Sequence, residues 1–296
     1  MTIAVYVPLL AAALFAAIGP RLALRSLPPV AGVWTLTVGA GLVAIGSCWS
    51  LALLAATLVD EMLPNGHATI GVVDEPTLVN DVVAALAAAL LLVACVRLAV
   101  DRRASRAIHR ELSDLCAGSQ SDLVVLADAA PQAFAVPVGR GHVVVSSGML
   151  AALSGPERRV LLAHERAHLR ARHHWHAEVV RAAIAVNPLL LGVRGASAYL
   201  CERWADEVAA EAVGDRRLAA TSLARAALAA SGTGCPPATL GYHAVGVRSR
   251  VAALQAPPAR SRPTLALALI GLAGVGLAAD IEATGDFVRM TFGLLH

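Results

Sequence analysis

Thirty consecutive residues, Val30 to Val59, carry no charged side chain. A bilayer's hydrocarbon core takes about 20 residues of helix to cross. Inside it, every backbone N–H and C=O has to be paired within its own segment. Such a run is therefore read as a membrane-crossing helix. Two more stretches resemble it: Ile3 to Ile18, ending in Gly-Pro before Arg21 and Arg25, and Val79 to Ala99, whose only charges are Asp81 and Arg97. A fourth, Thr264 to Ala279, is shorter and rich in glycine. Composition agrees, at 57% hydrophobic and only 15% charged residues, far from a soluble domain. The first segment lacks a basic leader and more spans follow it, so it reads as an anchor rather than a cleaved signal.

Charge asymmetry orients these spans. The first connection holds Arg21 and Arg25, the second Asp60, Glu61, Asp74 and Glu75, and the third begins with Arg97, Arg102, Arg103, Arg106 and Arg110. The N-terminus is then outside and the long block 101–262 cytoplasmic. Three regions follow: 1–100 with spans at about 3–18, 30–59 and 79–99, the block 101–262, and 264–296 with a last span and a short outer tail. Every basic residue is Arg, the net charge is only +3, and no basic run alternates with aromatics, which excludes a nucleic-acid partner. The five cysteines form no Cys-x-x-Cys pair and read as small packing residues.

The soluble block contains His164-Glu165-Arg166-Ala167-His168. On a helix, residues four apart share a face, so both imidazoles can reach one metal ion. Glu165 projects beside them as a general base for water, the arrangement of zinc peptidases. Ser154-Gly155-Pro156-Glu157 is a capping box that starts this helix, which is expected to run to about Ala177. A catalytic zinc has three protein ligands. His174 stands at the spacing of a third histidine ligand, but Ala171 replaces the glycine that would turn the chain there. Glu202, 34 residues after His168, is the better candidate, with Asp206 one turn further on to orient a ligand imidazole.

At this point the chain resembles the M56 peptidases, membrane zinc proteases typified by the antirepressor and sensor proteins of β-lactam resistance. Asn187-Pro188-Leu189, with Glu202 fifteen and Asp206 nineteen residues after the Asn, carries the resemblance. Glu202-x-x-x-Asp206 and Arg172-His173 are shared with the related M48 family. Gln132 to Pro137 and Gly141 to Gly148 resemble the hairpin before the zinc helix in both families, and imply that His142, Val143, Val144 and Val145 form an edge strand that pairs with substrate. Tyr242-His243 with Arg250-Val251 and Leu254 resembles a later element whose His is followed by Pro; here Ala244 stands instead. The resemblance makes Tyr242 and His243 candidate oxyanion stabilisers.

The expected fold is mainly α: a polytopic membrane protein with three N-terminal helices and one C-terminal transmembrane helix around a cytoplasmic, gluzincin-like α+β protease domain. The resemblance implies a bacterial plasma membrane, one Zn2+ bound by His164, His168 and Glu202, and a protein or peptide substrate such as a transcriptional repressor. The sensor proteins of that family carry a large outer domain after the last span, whereas about seventeen residues follow Ala279 here. Two other readings stay open. One is quality control of membrane proteins, as in M48 relatives. The other is a non-catalytic scaffold stapled by zinc, although Cys201 lies about 100° around the helix from Glu202 and is badly placed to close a four-ligand site.

Overall fold

In the computed structural model the apolar runs become helices that extend beyond the hydrophobic segments themselves. The structure describes residues 3–62, 81–119, 121–231, 246–257 and 260–292. A 3-10 turn at Ile3–Tyr6 leads into α1 (Val7–Ser26), followed by α2 (Pro29–Met62) and α3 (Asp81–Leu115). Strands β1 (Leu123–Leu126), β2 (Ala133–Val136) and β3 (His142–Ser146) precede α4 (Ser147–Ala152), α5 (Gly155–Arg170) and α6 (His173–Val186). A 3-10 turn at Pro188–Leu190 joins α6 to α7 (Leu191–Val213), followed by α8 (Arg216–Ser231), α9 (Val247–Gln255) and α10 (Pro263–Phe292).

Four helical stretches are long and apolar enough to cross a membrane: Ala4–Ser26, Pro29–Thr57, Asp81–Leu115 and Pro263–Arg289. Gly19-Pro20 does not end the first helix, which continues to Ser26. The last helix reaches well past Ala279 and so has the length to span. Helices α1 and α2 approach closely at Gly39, where a Cβ would stand 2.3 Å from the ring of the fully buried Phe15. Small residues at such crossings let helix backbones come together. The packing does not divide near residue 100. Phe15, Leu36 and Val43 of the first two helices share one core with Val180 and Ile184 of α6, Val193 and Leu200 of α7, and Leu269 of α10.

The sheet has the order β1-β3-β2. β2 and β3 form the antiparallel hairpin expected between Gln132 and Ser146, in the register Ala133–Val145 to Val136–His142. β1 adds in parallel on the other side, Leu123 to Val143 through Leu126 to Ser146. His142, Val143, Val144 and Val145 therefore cannot form the substrate-pairing edge. Their strand is the central one, with ladder partners on both sides, and Val143, Val144 and Val145 are buried. Among the described residues, the free edge on the side of α5 belongs to β2.

The capping box forms as expected. The Ser154 backbone N–H donates to the Glu157 carboxylate at 2.8 Å, and Arg225 of α8 pairs with the same carboxylate at 2.7 Å. These hydrogen bonds hold the Glu157 carboxyl below its ordinary range. Replacing Glu157 by Gln should cost about 1 kcal/mol of stability at neutral pH. Because the native pKa is depressed, that contribution is present above the unfolded-state pKa and lost as pH falls through the native one. Denaturation of both proteins at pH 7 and pH 3 should show the difference shrinking at the acid value.

Candidate metal centre

Helix α5 enters the interior with one face apolar and presents His164 and His168 on successive turns. Their Nε2 atoms lie 3.1 Å apart. Across from them α7 brings Glu202, whose two oxygens stand 3.5 Å from His164 Nε2 and 3.6 Å from His168 Nε2. Donors bound at about 2.0–2.2 Å to a tetrahedral ion stand about 3.3–3.6 Å from one another. The three side chains offer donor atoms within 4.8 Å of one another, near that spacing, and they are the one such cluster among the described residues. The donor set of two imidazoles and a carboxylate suits a borderline cation.

The other nitrogen of each ring is held as well. His164 Nδ1 lies 3.1 Å from Asp206 Oδ1, and His168 Nδ1 lies 2.8 Å from His173 Nδ1. An imidazole that ligates through Nε2 carries its proton on Nδ1. Asp206 accepts that proton from His164, and neutral His173 can accept the one from His168. The carboxylate beside His164 is the role assigned to Asp206 from its spacing. The histidine beside His168 is not visible in the spacing, because it depends on a turn.

That turn separates α5 from α6. Instead of running on to Ala177, the zinc helix stops at Arg170, and Arg172 adopts φ 51°, the one non-glycine residue with positive φ among those described. A left-handed residue after a helix end closes the last carbonyls and redirects the chain, at a cost of about 1–2 kcal/mol for a residue with a Cβ. The chain turns without a glycine, and it brings His173 rather than His174 to the site. His174 is exposed and lies outside the cluster.

Arg250 of α9 completes the centre. It is 1% exposed. Its guanidinium grips Asp206 with two hydrogen bonds of 2.7 Å and reaches Glu202 at 2.9 Å. Burial alone would raise the Glu202 carboxyl, but its bond to His164 and the charges of His168, His164 and Arg250 hold it well below the ordinary range. Burial likewise opposes a charge on His164. Hydrogen bonds to Asp206 and Glu202 outweigh it and push that imidazole up to about 10. The metal-free centre is negative enough to hold a proton where a cation would otherwise sit. His173 is the reverse case: burial, with His168 nearby, pulls it down to about 3 and keeps it neutral. Burial pushes the Cys201 thiol up to about 12, and its sulfur is not part of the donor cluster.

Glu165 is 2% exposed and lines a cavity of about 910 Å³ together with His164 and Arg250. The remaining wall is almost entirely apolar, including Phe134 on β2, Leu223 on α8, and Ile108 and Leu112 near the end of α3. Tyr242 and His243 lie outside the described residues.

The family model of peptidase family M48 matches residues 99–198. The matched stretch is about a third of the chain. It contains His164, Glu165 and His168 and ends four residues before Glu202. It supports the M48 peptidase family and hence a peptidase. No curated protein and no solved structure matches the chain.

Two substitutions test the centre. His173→Phe keeps a ring in place but removes the acceptor for His168, and zinc affinity should fall about 10–100-fold, measured by competition with a chromophoric chelator. Arg250→Met leaves Asp206 and Glu202 buried without their cation and should destabilise the metal-free protein by about 3–5 kcal/mol in denaturant unfolding.

Proposed function

We propose that the chain is a membrane-anchored, zinc-dependent endopeptidase. The observation that carries this reading is the triangular face of His164, His168 and Glu202 donors beside Glu165 in the wall of a large cavity. Those three side chains would hold one zinc ion. Bound zinc supplies a Lewis acid for a peptide carbonyl and lowers the pKa of water. Glu165 takes the proton from the attacking water and later delivers it to the amide nitrogen of the leaving peptide, so one carboxylate serves both transfers. Asp206 and His173 keep the ligand rings turned toward the ion, and Arg250 keeps Asp206 and Glu202 ionised.

Substrate would enter in extended form along the free edge of β2, by backbone pairing that reads little sequence. Apolar side chains would fill the cavity between β2, α8 and the end of α3. The task of the enzyme follows from which resemblance is given more weight. The Asn187 to Glu202 spacing supports an M56-type regulatory protease on the cytoplasmic face of a bacterial plasma membrane, cutting a protein such as a transcriptional repressor. The M48 match favours a second reading, degradation of damaged membrane proteins. The largely apolar lining of the cavity, from Ile108, Leu112, Phe134 and Leu223, suits unfolded apolar segments and leans the same way.

Zinc content and hydrolysis of an unfolded protein substrate should be compared in detergent for the wild type, Glu165→Gln and Glu202→Ala. Wild type should carry one zinc per chain. Glu165→Gln should keep the metal and lose about 10²–10⁴-fold in turnover, and Glu202→Ala should lose the metal. Stoichiometric zinc without Glu202, or full activity without Glu165, would overturn the assignment.

A further inference from the structure

The geometry points to the α6–α7 hairpin as a re-entrant membrane element whose tip, Asn187 to Leu191, sits among lipid acyl chains. Between Arg181 and Arg194 lie twelve residues, Ala182 to Val193, without a charge. An apolar stretch of about 10–14 residues is too short to span and is the length of a buried core or re-entrant segment. Here the stretch is interrupted in its middle at Asn187-Pro188, between α6 and α7, and both helices pack on α2.

Contacts with α2 give the depth. His176 bonds Thr37 at 3.0 Å, Val179 packs at Gly41, and Asn187 bonds Ser47 at 3.0 Å. α7 then returns, so that Leu200 packs against Gly32. The hairpin therefore climbs α2 from Thr37 to Ser47, about 15 Å along a helix, inside a span that carries no charge. A second marker agrees. Arg181 pairs at 2.9 Å with Asp101, the first acidic residue after the apolar run of α3. Taking that pair as the membrane face, the tip lies about 9 Å beyond it, within one leaflet of a core about 30 Å thick.

The tip is built for lipid. Leu189 and Leu191 are each 59% exposed, which in water would waste apolar surface. The backbone, in contrast, is satisfied. Asn187 N–H donates to Ala183, Leu190 N–H to Asn187, and Leu189 N–H to the Asn187 side chain, while Pro188 has no N–H. Non-helical backbone is tolerated at membrane depth where it is buried in protein, and Asn187 and Leu190 at the bend are buried. The rings of Trp34 and Trp175 lie 5.9 Å apart and tilted by 48°, both about half exposed, on the headgroup side of Arg181, the place where indoles collect. Arg194, one turn beyond the tip, is on a long side chain able to carry its charge back toward the headgroups.

The test is photo-crosslinking. The full chain would carry benzoylphenylalanine in place of Leu189 or, in a second protein, Leu191, and be reconstituted in vesicles of phosphatidylcholine and phosphatidylglycerol. Leu92, exposed on α3, and Val125, exposed on β1, provide the lipid-facing and water-facing references. Lipid adducts at 189 and 191 should match those at 92 and exceed those at 125 by at least about tenfold. Adduct yields no higher than at 125, or crosslinks to a second copy of the chain in place of lipid, would overturn the proposal. Neither result depends on metal or hydrolysis, so this proposal and the peptidase reading stand or fall separately.

Discussion

Arg250 lies between two carboxylates, Asp206 and Glu202, that are as hidden from water as it is. Each of these ions alone would cost several kcal/mol to bury. Together they form a bridge from α9 to α7, and through His164 to α5, so the three helices around the centre are joined by charge as well as by packing. With Glu165 included, the centre has three carboxylates and one guanidinium, a formal charge of minus two. A single divalent ion balances that count. The same excess favours the charged form of His164 over the neutral one. The suitability of the site for a divalent cation and its need for Arg250 thus have one electrostatic origin.

Much of this was legible along the chain because it depends on short spacing. The His164–His168 pair, the Ser154–Glu157 cap and the β2–β3 hairpin are local patterns, and each forms. Glu202 and Asp206 were legible as a helical pair, although only the fold shows them facing α5. The readings that failed depended on backbone geometry or on pairing across the chain. Nothing in Ala171-Arg172 announces a left-handed turn, so the helix is expected to run on to about Ala177 and the place of His173 beside His168 goes unread. β3 has the composition of an edge or a central strand equally, and β1, which makes it central, carries no separate signal in its four residues. Arg250 appeared only as part of a resemblance, since its partners lie more than forty residues away.

The membrane and catalytic parts are not stacked as separate layers. Helix α6 begins at the metal centre with His173 and ends against Ser47, and α7 begins beside that residue and returns to present Glu202. Glu202, the candidate third ligand, is therefore carried on a helix whose first half belongs to the core of α1, α2 and α10. A shift in how those helices pack would alter the position of Glu202 directly, with no linker in between. His176 adds a second tie, since it bonds Thr37 of α2 three residues after His173, which touches a ligand ring.

The same economy shows in α3. It runs unbroken from Asp81 to Leu115, about 52 Å of helix, and its two ends have different tasks: Ala84 and Ala87 pack in the bundle, while Ile108 and Leu112 wall the cavity beside Glu165. The rod is pinned between those ends as well, where Asp101 pairs with Arg181 of α6 at 2.9 Å. From that pair to Ile108 is an arm of seven residues, about 10 Å. The cavity wall at Ile108 is thus tied through Asp101 to the helix that begins with His173.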